Sequence, residues 1–311
     1  MSILSEISLT SIDWFKHYDY EILHQDNSQY IKPSNSNLVL NYNILSPDKA
    51  GVLLNALHIG KMCFFKENDI SKEILLFTKN YGPIGFINSF IYNHNYFSSN
   101  YVVMRKNPIT NELTLSFSEY IKNFFPTIND ELPSNDINNS FMKKVIKGDQ
   151  KHLLFCTSQE FYLLTSKVYS EKIEWIANYF EQLYAFVYAS YLNKKCLLEK
   201  TSILDINIYQ PFDLYQMCQY KNIDPIEYYI SSSLTTEITA QSSIIFKPHS
   251  LKSIIDFLLS IYSLHEKTPL RICKHCKTAF VGENIRTEFC SPKCRNQYNV
   301  YKTRSRKGLN E

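Results

Sequence analysis

Cys273-Lys274-His275-Cys276, then thirteen residues, then Cys290-Ser291-Pro292-Lys293-Cys294: this stretch near the end of a 311-residue chain holds four of its eight cysteines in two tight pairs. Such spacing matches a four-thiolate zinc site. A filled d-shell imposes no geometry of its own, and two short turns can close a tetrahedron of sulfurs. With Cys273, Cys276, Cys290 and Cys294 all acting as ligands, no position is left for water, so one structural Zn2+ is expected and not a catalytic one. The alternatives are a disulfide pair or four unrelated thiols.

The neighbouring residues extend this reading. Ala279-Phe280-Val281 and Thr287-Glu288-Phe289 are short extended runs around Gly282-Glu283-Asn284, which is turn chemistry, and predict a small hairpin. Ser291 is an N-cap residue and Pro292 suits the first helical position, so a helix is expected with Cys294 in its first turn. Its positive end then faces the thiolates. A knuckle, a hairpin and a helix carrying the second pair follow the order of a treble-clef zinc finger.

Charge is segregated at this end. Residues 267–311 hold eleven Lys or Arg against three Glu, an excess of +8, whereas the whole chain carries +3. Four thiolates and one zinc ion leave about +6, which points to a polyanionic partner for this module alone. Arg295, Asn299, Lys302 and Arg306 fall within about 60° on a helical wheel, with Tyr298 and Tyr301 beside them. Cations at this pitch meet successive phosphates, and Arg and Asn read guanine and adenine edges. Arg295, Asn299, Lys302, Arg304, Arg306 and Lys307 are therefore candidate nucleic-acid contacts, with DNA the first choice. The same face could instead solubilise a small module or dock on an acidic protein.

The rest of the chain is long enough for a second, larger domain. Hydrophobic and charged fractions of 44% and 20% are those of an ordinary soluble protein, and only seven glycines favour long helices over turn-dense β structure. No apolar run reaches the roughly eighteen residues of a membrane span. The first thirteen residues lack a basic start and a long apolar run, so a cytoplasmic, reducing setting is expected, in which disulfides are rare. Cys63, Cys156, Cys196 and Cys218 are far apart in apolar surroundings and read as buried free thiols.

Residues 1–43 show an aromatic cluster (Trp14, Phe15, Tyr18, Tyr20), a polar loop over 25–37 and a short apolar run, with a strand or two among them. His17, His24 and His58 lack ligand-spaced partners and read as surface or core residues. Ser46-Pro47-Asp48 announces a helix to about residue 65, and a second spans 71–81, stopped by Gly82-Pro83, forming an αα-hairpin. Residues 101–105 and 113–117 predict a β-hairpin, and 126–140 a loop. The longest helix is expected over 166–193, with Ile173, Ile176, Phe180, Leu183, Tyr184, Val187 and Tyr191 forming its apolar stripe. A strand over 204–209, short helices over 213–220 and 225–233, and a helix opened by Ser250 and ending near His265 follow. Thr268-Pro269 reads as a hinge. No phosphate-cradling glycine loop, His-Glu-x-x-His or Gly-x-Ser-x-Gly occurs, which lowers the expectation of an enzyme.

The run Phe289-Cys290-Ser291-Pro292-Lys293-Cys294-Arg295-Asn296-Gln297, followed by Tyr301-Lys302-Thr303-Arg304, resembles the C-terminal zinc finger of the CGNR type. Cys294-Arg295-Asn296-Gln297 stands where that family has Cys-Gly-Asn-Arg, and the cysteine spacings are shorter. The resemblance covers about 40 residues and implies a larger, mainly helical domain of the ABATE type ahead of the finger, in proteins regarded as bacterial transcription regulators. The combined expectation is an α+β protein: a mainly helical domain with small β-hairpins over 1–266, sensing a small molecule or protein effector, and a treble-clef zinc finger over 267–311 that binds nucleic acid. An adaptor docking an acidic protein, or an enzyme or toxin brought to nucleic acid by the finger, are the alternatives.

Overall fold

Two helices pressed backbone to backbone form the centre of the molecule. In the computed structural model, which describes residues 12–34, 39–46, 48–66, 70–86, 90–91, 101–104, 114–116, 122–127, 165, 168–199, 234–238, 244–248, 250–264, 269–284 and 286–307, α1 spans Gly51–Phe64 and α3 spans Ile173–Glu199. They meet at Gly60, where a Cβ would lie 2.0 Å from the Phe180 carbonyl oxygen, so only glycine permits this approach. Around the contact, Val52, Leu53, Ala56 and Leu57 of α1 and Ile176, Phe180, Leu183 and Tyr184 of α3 are fully buried.

The helix α2 (Ile70–Tyr81) packs on both. It ends as expected: Gly82 sits at φ 88° and its N–H closes on the Thr78 carbonyl at 2.7 Å. A fourth helix, α4 (Leu251–Leu264), buries Leu251, Ile254, Ile255, Leu258 and Leu259. Ser250 caps it, its Oγ accepting from the Ser253 N–H at 3.0 Å while the Ser253 Oγ lies 3.2 Å from the Ser250 N–H, a reciprocal pair of the capping-box kind. Its buried Asp256 is held by Lys252 at 2.5 Å and by the Tyr179 hydroxyl at 2.8 Å.

Small antiparallel sheets surround the helices. β1 (Asp13–His17) pairs with β4 (Val39–Asn43), and β2 (Tyr20–Gln25) pairs with β3 (Ser28–Pro33). The polar loop expected over 25–37 is corrected here. Asp26 and Asn27 both take left-handed backbone, φ 50° and 61°, the requirement of a two-residue hairpin turn, so pairing resumes at Ser28. β5 (Phe90–Ile91), β6 (Tyr101–Met104) and β7 (Thr114–Ser116) form a further small sheet that includes the expected hairpin, and β9 (Leu234–Ile238) pairs with β10 (Ile244–Pro248).

Two helix starts differ from expectation. α1 begins after Ala50, because Asp48 spends its Oδ1 on the Ala50 N–H at 2.9 Å and holds a turn. α3 begins at Ile173 and not at 166, because Glu171 and Lys172 form β8, which pairs with β3. Glu171 explains the extension. Its buried carboxylate accepts from the N–H groups of Ile84 (2.7 Å), Gly85 (2.6 Å) and Phe86 (3.1 Å) and from the Tyr169 hydroxyl (2.6 Å). The segments expected over 204–209, 213–220 and 225–233, and most of 126–140, lie outside the described residues.

The mix of helices and small antiparallel sheets is α+β. No helix among the described residues is long and apolar enough to cross a membrane.

Candidate metal centre

The cysteine region is built on β11 (Leu270–Ile272), β12 (Ala279–Val281) and α5 (Pro292–Lys307). β11 and β12 pair antiparallel, Ile272 opposite Ala279, so the first cysteine pair occupies the hairpin's own turn. This corrects the hairpin expected between 279–281 and 287–289. The chain reverses at the knuckle itself, where Lys277 adopts φ 60°, its N–H bonds the Cys273 carbonyl at 3.0 Å, and the Cys273 N–H bonds Thr278 at 3.0 Å. The 287–289 run is fastened differently. The Lys274 N–H donates to the Glu288 carbonyl at 3.0 Å and the Lys274 ammonium pairs with the Glu288 carboxylate, bringing the second cysteine segment beside the first.

Ser291 caps α5 as its position predicts. Its Oγ accepts from the Cys294 N–H at 3.3 Å, and its carbonyl accepts from the Arg295 N–H at 3.2 Å. Cys290 and Cys294 therefore flank a helix start whose dipole favours thiolate.

All four sulfurs converge. The ligand atoms of Cys273, Cys276, Cys290 and Cys294 lie within 4.8 Å of one another, with Cys276–Cys290 at 3.6 Å and Cys290–Cys294 at 3.5 Å. Four sulfurs about 2.3 Å from one central ion would stand about 3.8 Å apart, whereas a disulfide needs about 2.0 Å. The four cysteines are positioned to hold one metal ion and are not cross-linked. Among the described residues no other group of His, Cys, Asp or Glu is so placed.

Without a cation, four close thiols cannot all ionise. Burial acts to raise the Cys276 thiol, but bonds from Thr278 and the neighbouring sulfurs outweigh it and bring it down to about 7. Cys290 is pushed far up, by burial first and then by the crowding of Cys294, Cys276 and Cys273. A divalent ion removes the conflict by stabilising every thiolate together.

The knuckle is seated on the larger part of the protein. Ile272 and Ala279 belong to the same buried cluster as α1 and α3, and the Tyr184 hydroxyl donates to the Lys277 carbonyl at 2.7 Å. The expected hinge at Thr268-Pro269 lies partly outside the described residues; Pro269 itself is tied by its carbonyl to the Gly282 N–H at 2.9 Å.

α5 stands apart from that core. Arg295, Asn299, Lys302 and Arg304 are exposed, as are Lys293, Asn296, Gln297, Val300 and Thr303, and only Cys294 and Tyr298 among residues 292–305, the stretch whose side chains are described, are half-buried. Tyr298 packs on Phe289 with ring centroids 5.3 Å apart, and Tyr301 stacks on His275 at 5.8 Å and 17°. Arg306 and Lys307 lie in its last turn; their side chains are outside the described residues. The helix contains no acidic residue.

No family model matches the chain, and no significant match exists among curated proteins or solved structures. The resemblance of the tail to CGNR-type fingers therefore rests on its own residues.

Elsewhere, His58 and His24 are exposed on their elements, and His17 is buried. A small pocket is lined by His17, Tyr20, Thr78, Tyr169 and Glu171 among others. Burial pushes the Glu171 carboxyl up, against the pull of its four donors. Those donors leave it acting as a clasp between β8 and the 84–86 segment. Glu171 carries no sequence signal of this role, because an acid set between Ser170 and Lys172 looks like an ordinary surface residue.

Proposed function

We propose that the four-cysteine site holds one structural zinc ion, that residues 267–311 form a divergent treble-clef finger, and that this finger binds nucleic acid, in the manner of a DNA-binding transcription regulator. All-sulfur donors select zinc over hard cations, and four ligands close the coordination sphere. The observation that carries the nucleic-acid reading is α5: a helix with Lys or Arg at 293, 295, 302, 304, 306 and 307, no acid, and almost no side chain committed to the core. A helix polar on all sides gains little from tertiary burial, so its fixed presentation by the metal centre serves an external polyanion. The larger domain, on this reading, receives a small-molecule or protein effector and the protein works in a reducing compartment.

The test is salt dependence. With about four to six phosphate contacts, the logarithm of the binding constant should fall against the logarithm of salt with a slope near −4 to −5. Replacing Arg295, Lys302 and Arg306 by Ala should flatten it. Binding that ignores both salt and these cations would point to a protein partner and defeat the proposal.

A further inference from the structure

Resting on the nucleic-acid reading above, we infer that α5 lies in the major groove of a B-form DNA duplex, gripped from both flanks, with Asn296, Asn299 and Thr303 facing the base edges. The inference comes from how residues are distributed around the helix. At about 100° per residue, Cys294, Tyr298 and Tyr301 share one side. That side is turned to the metal centre: Cys294 joins the sulfur cluster, Tyr298 packs on Phe289 and Tyr301 stacks on His275.

Two cationic rows flank it. Positions 295, 302 and 306 form one row and positions 293 and 304 the other, about 170° away around the axis. Between them, on the side opposite the metal centre, lie Asn296, Asn299 and Thr303, with Val300 at its margin, all exposed; the position of Lys307 shares this side only in the last turn.

This order, cations on both flanks and short polar side chains between, complements a groove with phosphates on two walls and base edges on its floor. A helix about 10–12 Å across fits the B-form major groove, about 12 Å wide, and sixteen residues span about 24 Å of it. An A-form RNA duplex has a major groove too deep and narrow to admit it, and single strands are held on platforms of several aromatic rings, whereas here Tyr298 packs on Phe289 and Tyr301, 58% exposed beside His275, is a single ring on the metal-facing side. Asn pairs with adenine N6 and N7, and the Thr and Val methyl groups meet the thymine methyl, so the floor-facing set favours A·T base pairs.

The experiment uses the full chain with its metal content verified. Fluorescence anisotropy would compare an A·T-rich DNA duplex, a G·C-rich DNA duplex, an RNA duplex and a DNA single strand over a salt series. The expected result is preference for the A·T-rich DNA duplex. The double variants Lys293→Ala/Arg304→Ala and Arg295→Ala/Lys302→Ala should each reduce the salt slope by about 2, because both walls are contacted. Asn296→Ala/Thr303→Ala should leave the slope intact and shrink the sequence preference by about fivefold or more. Salt-dependent binding that is equally strong on RNA or single strands, or that is insensitive to Lys293→Ala/Arg304→Ala, or whose sequence preference survives Asn296→Ala/Thr303→Ala, overturns the groove placement while leaving nucleic-acid binding in place. Absence of binding to every probe overturns the reading beneath it and this inference together.

Discussion

Cys276 and Cys290 approach to 3.6 Å from opposite segments, so each is needed to close the site. Cys276→Ser or Cys290→Ser should release the metal and expose the amides of α5 to exchange; one equivalent of metal and a protected helix in either variant would contradict the assignment. Glu171 is the second residue on which local structure turns. In Glu171→Gln an amide group replaces one carboxylate oxygen and confronts backbone donors of the 84–86 segment, leaving buried groups unmatched. The cost should be about 1–3 kcal/mol or more, read from the denaturation midpoint. These two sites differ in how openly the chain displays them. The cysteines are legible because metal spacing is local, while the three backbone donors to Glu171 come from residues 85 to 87 positions away, a distance no local pattern spans.

Elements are legible where the local signals agree. α4 and α5 start at Ser250 and Ser291 because capping and periodicity agree there. Ahead of α3, sheet pairing at Glu171 and Lys172 overrides helix formation, and the β11–β12 reversal is not legible because it uses a lysine in the left-handed region, where a turn is ordinarily signalled by glycine. The α1–α3 contact yields its own prediction. Gly60→Ala places a methyl against the Phe180 carbonyl and should destabilise the protein by about 1–3 kcal/mol or more by forcing the helices apart, measured by thermal unfolding with metal content unchanged. A neutral outcome would mean that the two backbones are not in direct contact.

Across the whole molecule, charge division is plain in the sequence, but the seating of the knuckle is not, since runs as short as Leu270–Ile272 and Ala279–Val281 do not say which distant surface covers Ile272 and Ala279. Their burial joins the metal centre to the core. Chelating the metal should therefore lower the unfolding temperature of the α1–α3 region as well as melting α5, and Tyr184→Phe, which removes the bond to Lys277, should weaken that coupling while preserving the packed ring. Chelation that leaves the larger domain's unfolding unchanged would show the two parts to be energetically separate. The same seating bears on dissection: a peptide of residues 267–311 made alone would leave the underside of its hairpin uncovered, and a chain ending at 266 would be left with a bare socket. Mixed in one tube, the halves should recombine without a covalent link, as pieces of a split protein do.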